Sequence, residues 1–170
     1  WSEGEHLLFA VATDDAGTRS LPAREIVTVD TTGPSVLNQE PDGNVFVPIS
    51  HVDVEFSEPI DGETLTTDDL SLTAPGGAVT ISGVTYVDGN TYRVEFAEQT
   101  AAGTYALDVG PQVEDEAGNL MDQDQDGVPG EAEDDTYEGT FTMGTDPVEV
   151  ALRIVEGDET PGITIGESFE

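Results

Sequence analysis

Short runs in which hydrophobic and polar residues alternate cover most of the chain. Val52, Val54 and Phe56 occupy every second position of one run, which is the period of a β-strand with one buried face. The same period recurs at Tyr92, Val94 and Phe96, at Tyr105, Leu107 and Val109, and around Tyr137 and Phe141. Only residues 66–70 suggest a helical turn, with Thr67 as its cap. Many short strands separated by turns predict an all-β sandwich.

Two weaker patterns flank this central part. Residues 6–12 and 25–29 alternate on either side of a polar turn, and a Gly-Pro linker follows at Gly33 and Pro34. Alternation restarts after Asp146. We therefore expect three segments: the last strands of a preceding module at 1–32, a complete sandwich at 33–145, and the start of a following β module at 146–170.

Acidic residues dominate the charge of the chain. Thirty-seven Asp and Glu face four Arg and no Lys, which gives a formal net charge of -33. Such a surface repels nucleic acid and anionic membranes, so neither is an expected partner. No run approaches the roughly 18 apolar residues of a membrane span, so membrane insertion is not expected either. The chain has no Cys, and bound metal is one alternative to disulfide cross-links.

One acidic stretch, residues 122–133, matches the calcium-loop template D-x-D-x-D-G-x5-E. Carboxylates at alternate positions converge on one point as such a loop curls, and a Gly at position six permits the sharp turn. The template assigns the metal ligands to Asp122, Asp124, Asp126, the carbonyl of Val128, position nine at Gly130, and Glu133. The oxygen ligands favour Ca²⁺ over zinc, with Mg²⁺ as the weaker alternative.

The surroundings of this stretch are not those of an EF-hand. Gly118 and Asn119 upstream end helices, and the downstream residues have a strand pattern. We therefore predict an isolated EF-hand-like calcium loop between two strands. The last ligand is the least constrained, because Glu131, Asp134 and Asp135 could each replace Glu133. The alternative is a solvated acidic loop that holds cations loosely.

Smaller acidic clusters elsewhere in the chain could bind calcium in the same way. Asp14, Asp15 and Asp30 lie near the first segment boundary, and Asp115 and Asn119 lie in a second turn. Calcium at such junctions would stiffen a tandem array of modules. Polar turns, in which Asp and Asn side chains bond the nearby main chain, are the favoured interpretation.

Four motifs occur in order along the central segment: Gly33-Pro34-Ser35-Val36, Val54-Glu55-Phe56-Ser57-Glu58-Pro59, Gly103-Thr104-Tyr105-Ala106-Leu107 and Val113-Glu114-Asp115-Glu116-Ala117-Gly118-Asn119. Through these motifs the segment resembles the bacterial Ig-like domains that occur in tandem in S-layer and large surface proteins. The resemblance implies an immunoglobulin-like β-sandwich at the cell surface or outside the cell, with neighbouring Ig-like modules as partners. It also implies a structural or adhesion module.

The expected function is therefore that of a calcium-stabilised structural or adhesion module, not an enzyme. No Ser or His has the neighbours that would assemble a nucleophile, a base and an oxyanion donor. The alternative is a recognition module for a surface glycan or protein ligand, possibly an accessory domain of a secreted hydrolase. Trp1, Tyr86, Tyr92, Tyr105 and Tyr137 could form a sugar-binding face, although three of the tyrosines lie on the apolar phase of their strands and core packing is the favoured role.

Overall fold

The computed structural model describes residues 2–145. The predicted start of a following module, residues 146–170, lies outside the described residues. The strands are β1 (Gly4–Ala10), β2 (Ala23–Val29), β3 (Val36–Glu40), β4 (Asn44–Val45), β5 (Ile49–Phe56), β6 (Leu70–Ala74), β7 (Gly77–Val79), β8 (Ile81–Asp88), β9 (Thr91–Gln99), β10 (Gly103–Val109) and β11 (Tyr137–Met143). A single 3-10 turn, Thr67–Asp69, precedes β6.

Strands β3 to β11 form two sheets that pack face to face. One sheet has the order β4-β11-β10-β6-β7 and the other the order β3-β5-β9-β8. The pairings are antiparallel except for β4, which runs parallel to β11. The predicted all-β, immunoglobulin-like sandwich is confirmed.

Alternate residues of both sheets meet in one hydrophobic core. Val52, Val54 and Phe56 of β5 are at most 1% exposed, as their two-residue period predicts. From the opposite sheet, the ring of Tyr105 stacks on that of Phe141 with ring centroids 4.9 Å apart. The core is therefore closed by residues of both sheets, and the loops between strands are held on a rigid frame.

The β1–β2 hairpin forms a separate two-stranded sheet. Leu7 pairs with Ile26 and Phe9 pairs with Arg24, so the four side chains share one face. Leu7, Phe9 and Ile26 are 51%, 62% and 63% exposed. The sandwich does not cover this apolar face. The prediction that the hairpin belongs to a preceding module is compatible with this exposure and stays a prediction.

The cap of the 3-10 turn is Thr66, and the prediction of Thr67 is wrong. The Thr66 hydroxyl accepts a hydrogen bond from the Asp68 main chain at 3.2 Å, and the Asp69 carboxylate accepts one from the Thr66 main chain at 2.9 Å. This reciprocal box needs an acidic residue three positions after the cap. Of the two threonines, only Thr66 has one.

We expect the ion pair between Asp53 and Arg93 to stabilise the β5–β9 pairing, where the two residues lie directly opposite each other. The two hydrogen bonds from Arg93 are 2.7 and 2.8 Å long and hold the pKa of Asp53 below its usual value. Because the pair is partly exposed, Asp53→Asn should cost only about 0.5–1 kcal/mol at neutral pH.

The pKa shift also sets the pH dependence of this contribution. Since the pKa of Asp53 is lowered on folding, the stabilisation is present above the pKa of the unfolded carboxyl and disappears as pH falls through the folded value. Thermal melts of the native chain and of Asp53→Asn should therefore converge as the pH becomes strongly acidic. A constant difference across the whole pH range would contradict this role.

Candidate metal centre

The acidic loop, residues 122–135, lies between β10 and β11 and begins from a buried anchor. Met121 is fully buried, and its main-chain N–H donates to the carbonyl of Val113 at 2.9 Å. The carbonyl of Met121 in turn accepts a hydrogen bond from Gly130 at 2.8 Å, which closes the loop back on its own start. The loop is therefore fixed at its base by the sandwich.

Asp122 and Asp135 are the two buried carboxylates of the acidic loop, with 7% and 0% exposure. Asp122 accepts main-chain hydrogen bonds from Asp126 at 3.1 Å and Gly127 at 3.0 Å. Asp135 accepts two more, both at 2.8 Å, from the main chains of Gln123 and Glu131. These bonds fix the orientation of both carboxylates, so their oxygens are positioned before any ligand arrives.

A third carboxylate, that of Asp124, completes a cluster with these two. One oxygen from each of Asp122, Asp124 and Asp135 lies within 4.8 Å of the others. The curl that brings them together requires unusual backbone geometry, with φ of 61° at Gln125 and 86° at Gly127. Gly tolerates this left-handed region without strain, and this is the role predicted for position six of the template.

The other predicted ligands are not members of the three-carboxylate cluster. Asp126 is exposed and lies outside the three-carboxylate cluster, and its carboxylate accepts a hydrogen bond from the Val128 main chain at 2.8 Å. Glu133 is also exposed and outside the cluster. Val128 is exposed, while Gly130 is half-buried and its carbonyl accepts a 3.4 Å hydrogen bond from Gln112. Asp135, one of the residues that the sequence left open for the last position, lies in the cluster, and Glu133 does not.

Like charges within the acidic loop disfavour the ionised forms of two of its residues, Asp124 and Glu131. A hydrogen bond from the Asp126 main chain lowers the pKa of Asp124, but desolvation and the charges of Asp126, Asp135 and Asp122 raise it by more, so the net pKa is raised. The pKa of Glu131 is also raised, first by desolvation and then by the neighbouring acidic residues. A bound cation would remove this repulsion.

A second acidic group lies near the linker that enters the sandwich. Oxygens of Asp30, Glu58 and Asp115 approach within 4.8 Å of one another. Asp115 is 2% exposed, and its carboxylate accepts hydrogen bonds from Ala117 and from the main chain and side chain of Asn119, each at 2.8 Å. These bonds are those predicted for a polar turn.

Tyrosines that were candidates for a sugar-binding face differ in exposure, and the other candidate, Trp1, lies outside the described residues. Tyr105 is fully buried, as its predicted core role requires. Tyr86 is 63% exposed and packs edge-on against Tyr92 with ring centroids 5.6 Å apart, and Tyr92 contacts Phe56 in the same manner.

Among residues 2–145, no helix is both long and apolar enough to cross a membrane.

Comparison with solved structures gives similar folds at low sequence identity. Domains 1–6 of the surface layer protein SbsC are 19% identical, with a TM-score of 0.48, and the match covers 68% of this chain and 14% of that one. The N-terminal part of SbsC is 20% identical, with a TM-score of 0.48 and coverage of 68% and 24%. PcoC, a methionine-rich copper resistance protein from Escherichia coli, is 18% identical, with a TM-score of 0.48 and coverage of 65% and 98%.

Sequence comparison identifies the family. No curated protein matches the chain. Residues 30–129, which include most of the sandwich and the first half of the acidic loop, match the bacterial Ig-like domain. This match begins in the linker after the β1–β2 hairpin and agrees with the two-sheet fold. The chain belongs to the bacterial Ig-like domain family.

Proposed function

We propose that this chain is a structural module of a bacterial surface or secreted protein, and that the acidic loop binds one Ca²⁺ that stabilises its fold. The observation that carries the proposal is the convergence of Asp122, Asp124 and Asp135. Two of these carboxylates are buried and held by main-chain hydrogen bonds. Clustered carboxylate oxygens are the ligands that Ca²⁺ prefers.

The remaining coordination would come from oxygens near the cluster. Ca²⁺ takes six to eight oxygen ligands, from carboxylates, main-chain carbonyls and water. Asp126 and the carbonyl of Val128 belong to the same curl and would complete the shell with water. Asp135 would close it, in place of Glu133. Mg²⁺ fits less well, because it requires strict octahedral geometry and a loop of flexible oxygens does not impose it.

A structural role suits the arrangement better than catalysis. When ionised, the three clustered carboxylates are acceptors only, and residues 122–135 contain no Ser, Thr, Cys, Lys or His. Its position between β10 and β11 lets a bound ion tie the start of the loop to the last strand of the sandwich. Binding only to the folded state would convert the affinity for calcium directly into stability.

The hairpin completes this proposal. Its apolar face, formed by Leu7, Phe9 and Ile26, would cover the core of a preceding Ig-like module, since an isolated hairpin of this size is marginal in water. Neighbouring modules of the same protein are therefore the proposed partners. A tandem array of such modules would form an extended scaffold at the cell surface.

Limited proteolysis tests the proposed calcium site. A protease that cuts after Glu should cleave the acidic loop at Glu131 and Glu133, both exposed, in the presence of chelator. With calcium at a hundredfold excess over its dissociation constant, we expect these cuts to slow by about a hundredfold, because the loop must release the ion to enter the protease.

The exposed turn at Glu63 supplies an internal control for this experiment. Cleavage there should proceed at the same rate with and without calcium, since Glu63 lies outside both acidic clusters. Equal cleavage of the acidic loop in both conditions would overturn the proposal. Slower cleavage by the same factor at every site would show an effect of divalent cations on the protease, not protection of the acidic loop.

A further inference from the structure

The linker that enters the sandwich, together with Val36 at the start of β3, packs directly on the start of the acidic loop. The side-chain amide of Gln123 accepts a hydrogen bond from the Val36 main chain at 2.8 Å and donates one to the Val36 carbonyl at 3.1 Å. The main chain of Asp122 donates to the carbonyl of Pro34 at 3.1 Å. The linker is therefore bonded to the same two residues that begin the loop.

The other side of the linker is bonded to the hairpin. The Glu3 carboxylate, just before β1, accepts hydrogen bonds from the Thr31 hydroxyl at 3.2 Å and the Thr32 hydroxyl at 3.0 Å. Residues 31–36 thus lie between the base of the hairpin and the acidic loop, with hydrogen bonds to Glu3 at one end and to Asp122 and Gln123 at the other.

A shared cavity lies at this junction. It has a volume of about 650 Å³, and the residues that line it include the acidic residues Glu3, Asp30, Glu58, Asp122 and Asp126. Burial raises the pKa of Glu58, and the charges of Asp30, Asp115 and Glu3 raise it further. Without a cation, the five carboxylates that line this one cavity repel one another, and this repulsion favours opening of the junction.

We propose that occupancy of the acidic loop by calcium sets the position of the β1–β2 hairpin relative to the sandwich. A bound ion neutralises the charge that Asp122 and Asp126 contribute to the cavity, so the linker and the hairpin base are held in one arrangement. Without the ion, the repulsion among the carboxylates that line the cavity loosens that arrangement. This inference rests on the proposed calcium site. It gives the ion a second role: besides stabilising one module, the ion controls the angle between successive modules.

Thermodynamic linkage supplies the first test. If calcium favours the ordered junction, loosening the junction must weaken calcium binding by the same factor. The double variant Thr31→Val and Thr32→Val removes both hydroxyls bonded to Glu3 without changing charge. We expect it to raise the calcium dissociation constant about fivefold in a calorimetric titration. The matched control, Thr28→Val on the exposed face of β2, should bind calcium as the native chain does.

A distance measurement supplies the second test. The chain has no Cys, so Thr18→Cys in the hairpin turn and Glu98→Cys in the sandwich give a unique pair of exposed spin-label sites. Adding calcium should narrow and shift the distribution of distances between the labels. The same labelled pair in an Asp124→Asn background should not respond.

The outcomes separate this inference from the proposed function. Calcium binding with an unchanged distance distribution, or with equal affinity in the double variant and the Thr28→Val control, would overturn the coupling and leave the calcium site in place. A native chain that binds no calcium in the titration would overturn both. The coupling is supported if calcium narrows the distance distribution and if calcium binding is weakened in the double variant but not in the Thr28→Val control.

Discussion

Calcium should raise the free energy of unfolding by about 2.7 kcal/mol when its free concentration is a hundredfold above the dissociation constant. The reason is that the carboxylates of Asp122, Asp124 and Asp135 converge only in the folded chain. For a domain whose total stability is about 5–15 kcal/mol, this is a large contribution. Differential scanning calorimetry with calcium and with chelator measures the effect as a shift of the thermal midpoint.

A control for charge screening is essential, because the net charge of -33 makes any added salt stabilising. Sodium chloride at matched ionic strength should give a smaller shift than calcium. The double variant Asp122→Asn and Asp124→Asn should respond to calcium only as it responds to sodium. Asp134→Asn, an exposed neighbour outside the cluster, should keep the full response. Equal shifts in calcium and sodium would contradict a specific site.

Gly33→Ala should destabilise the chain by about 3 kcal/mol, the upper part of the range for overpacking. A Cβ at Gly33 would lie 1.8 Å from the main-chain carbonyl oxygen of Leu120. Because the clashing atom is backbone, no side-chain rotation relieves it, and either the linker or the start of the acidic loop must move. Chemical denaturation of the native chain and the variant measures the loss.

The control for this substitution is Gly76→Ala. No atom lies within 4 Å of a Cβ built at Gly76, and its φ is not positive, so the exchange should change stability by less than about 0.5 kcal/mol. A Gly33→Ala variant as stable as Gly76→Ala would contradict the close approach of the linker to residue 120. The packing on which the coupling proposal depends would then be absent.

The sandwich was predictable because its strands bury one face. The period of Val52, Val54 and Phe56 directly reflects that burial. The short parallel strand β4 was not predicted, since its two residues are too few to show a period. Its pairing with β11 depends on contacts between residues far apart in the chain, which a local pattern does not contain.

The candidate site was predictable to a similar extent. The alternating Asp122 and Asp124 and the turn at Gly127 follow from the template, because the curl of the loop is local. The template places its last ligand on a helix at position twelve. In this chain a single turn, closed by a 2.8 Å hydrogen bond from Asp135 to the carbonyl of Glu131, brings Asp135 to the cluster and leaves Glu133 exposed. The sequence leaves Glu131, Asp134 and Asp135 open as alternatives to Glu133. Only the structure shows that Asp135 is the one that lies in the cluster.

The most direct test of the central claim is a calorimetric titration of the native chain with calcium, beside Asp135→Asn and Glu133→Gln. We predict one saturable site in the native chain, binding at least about tenfold weaker in Asp135→Asn, and native affinity in Glu133→Gln. An absence of saturable binding by the native chain would contradict the calcium site itself. Lost binding in Glu133→Gln with native binding in Asp135→Asn would contradict the assignment of Asp135 as the closing ligand.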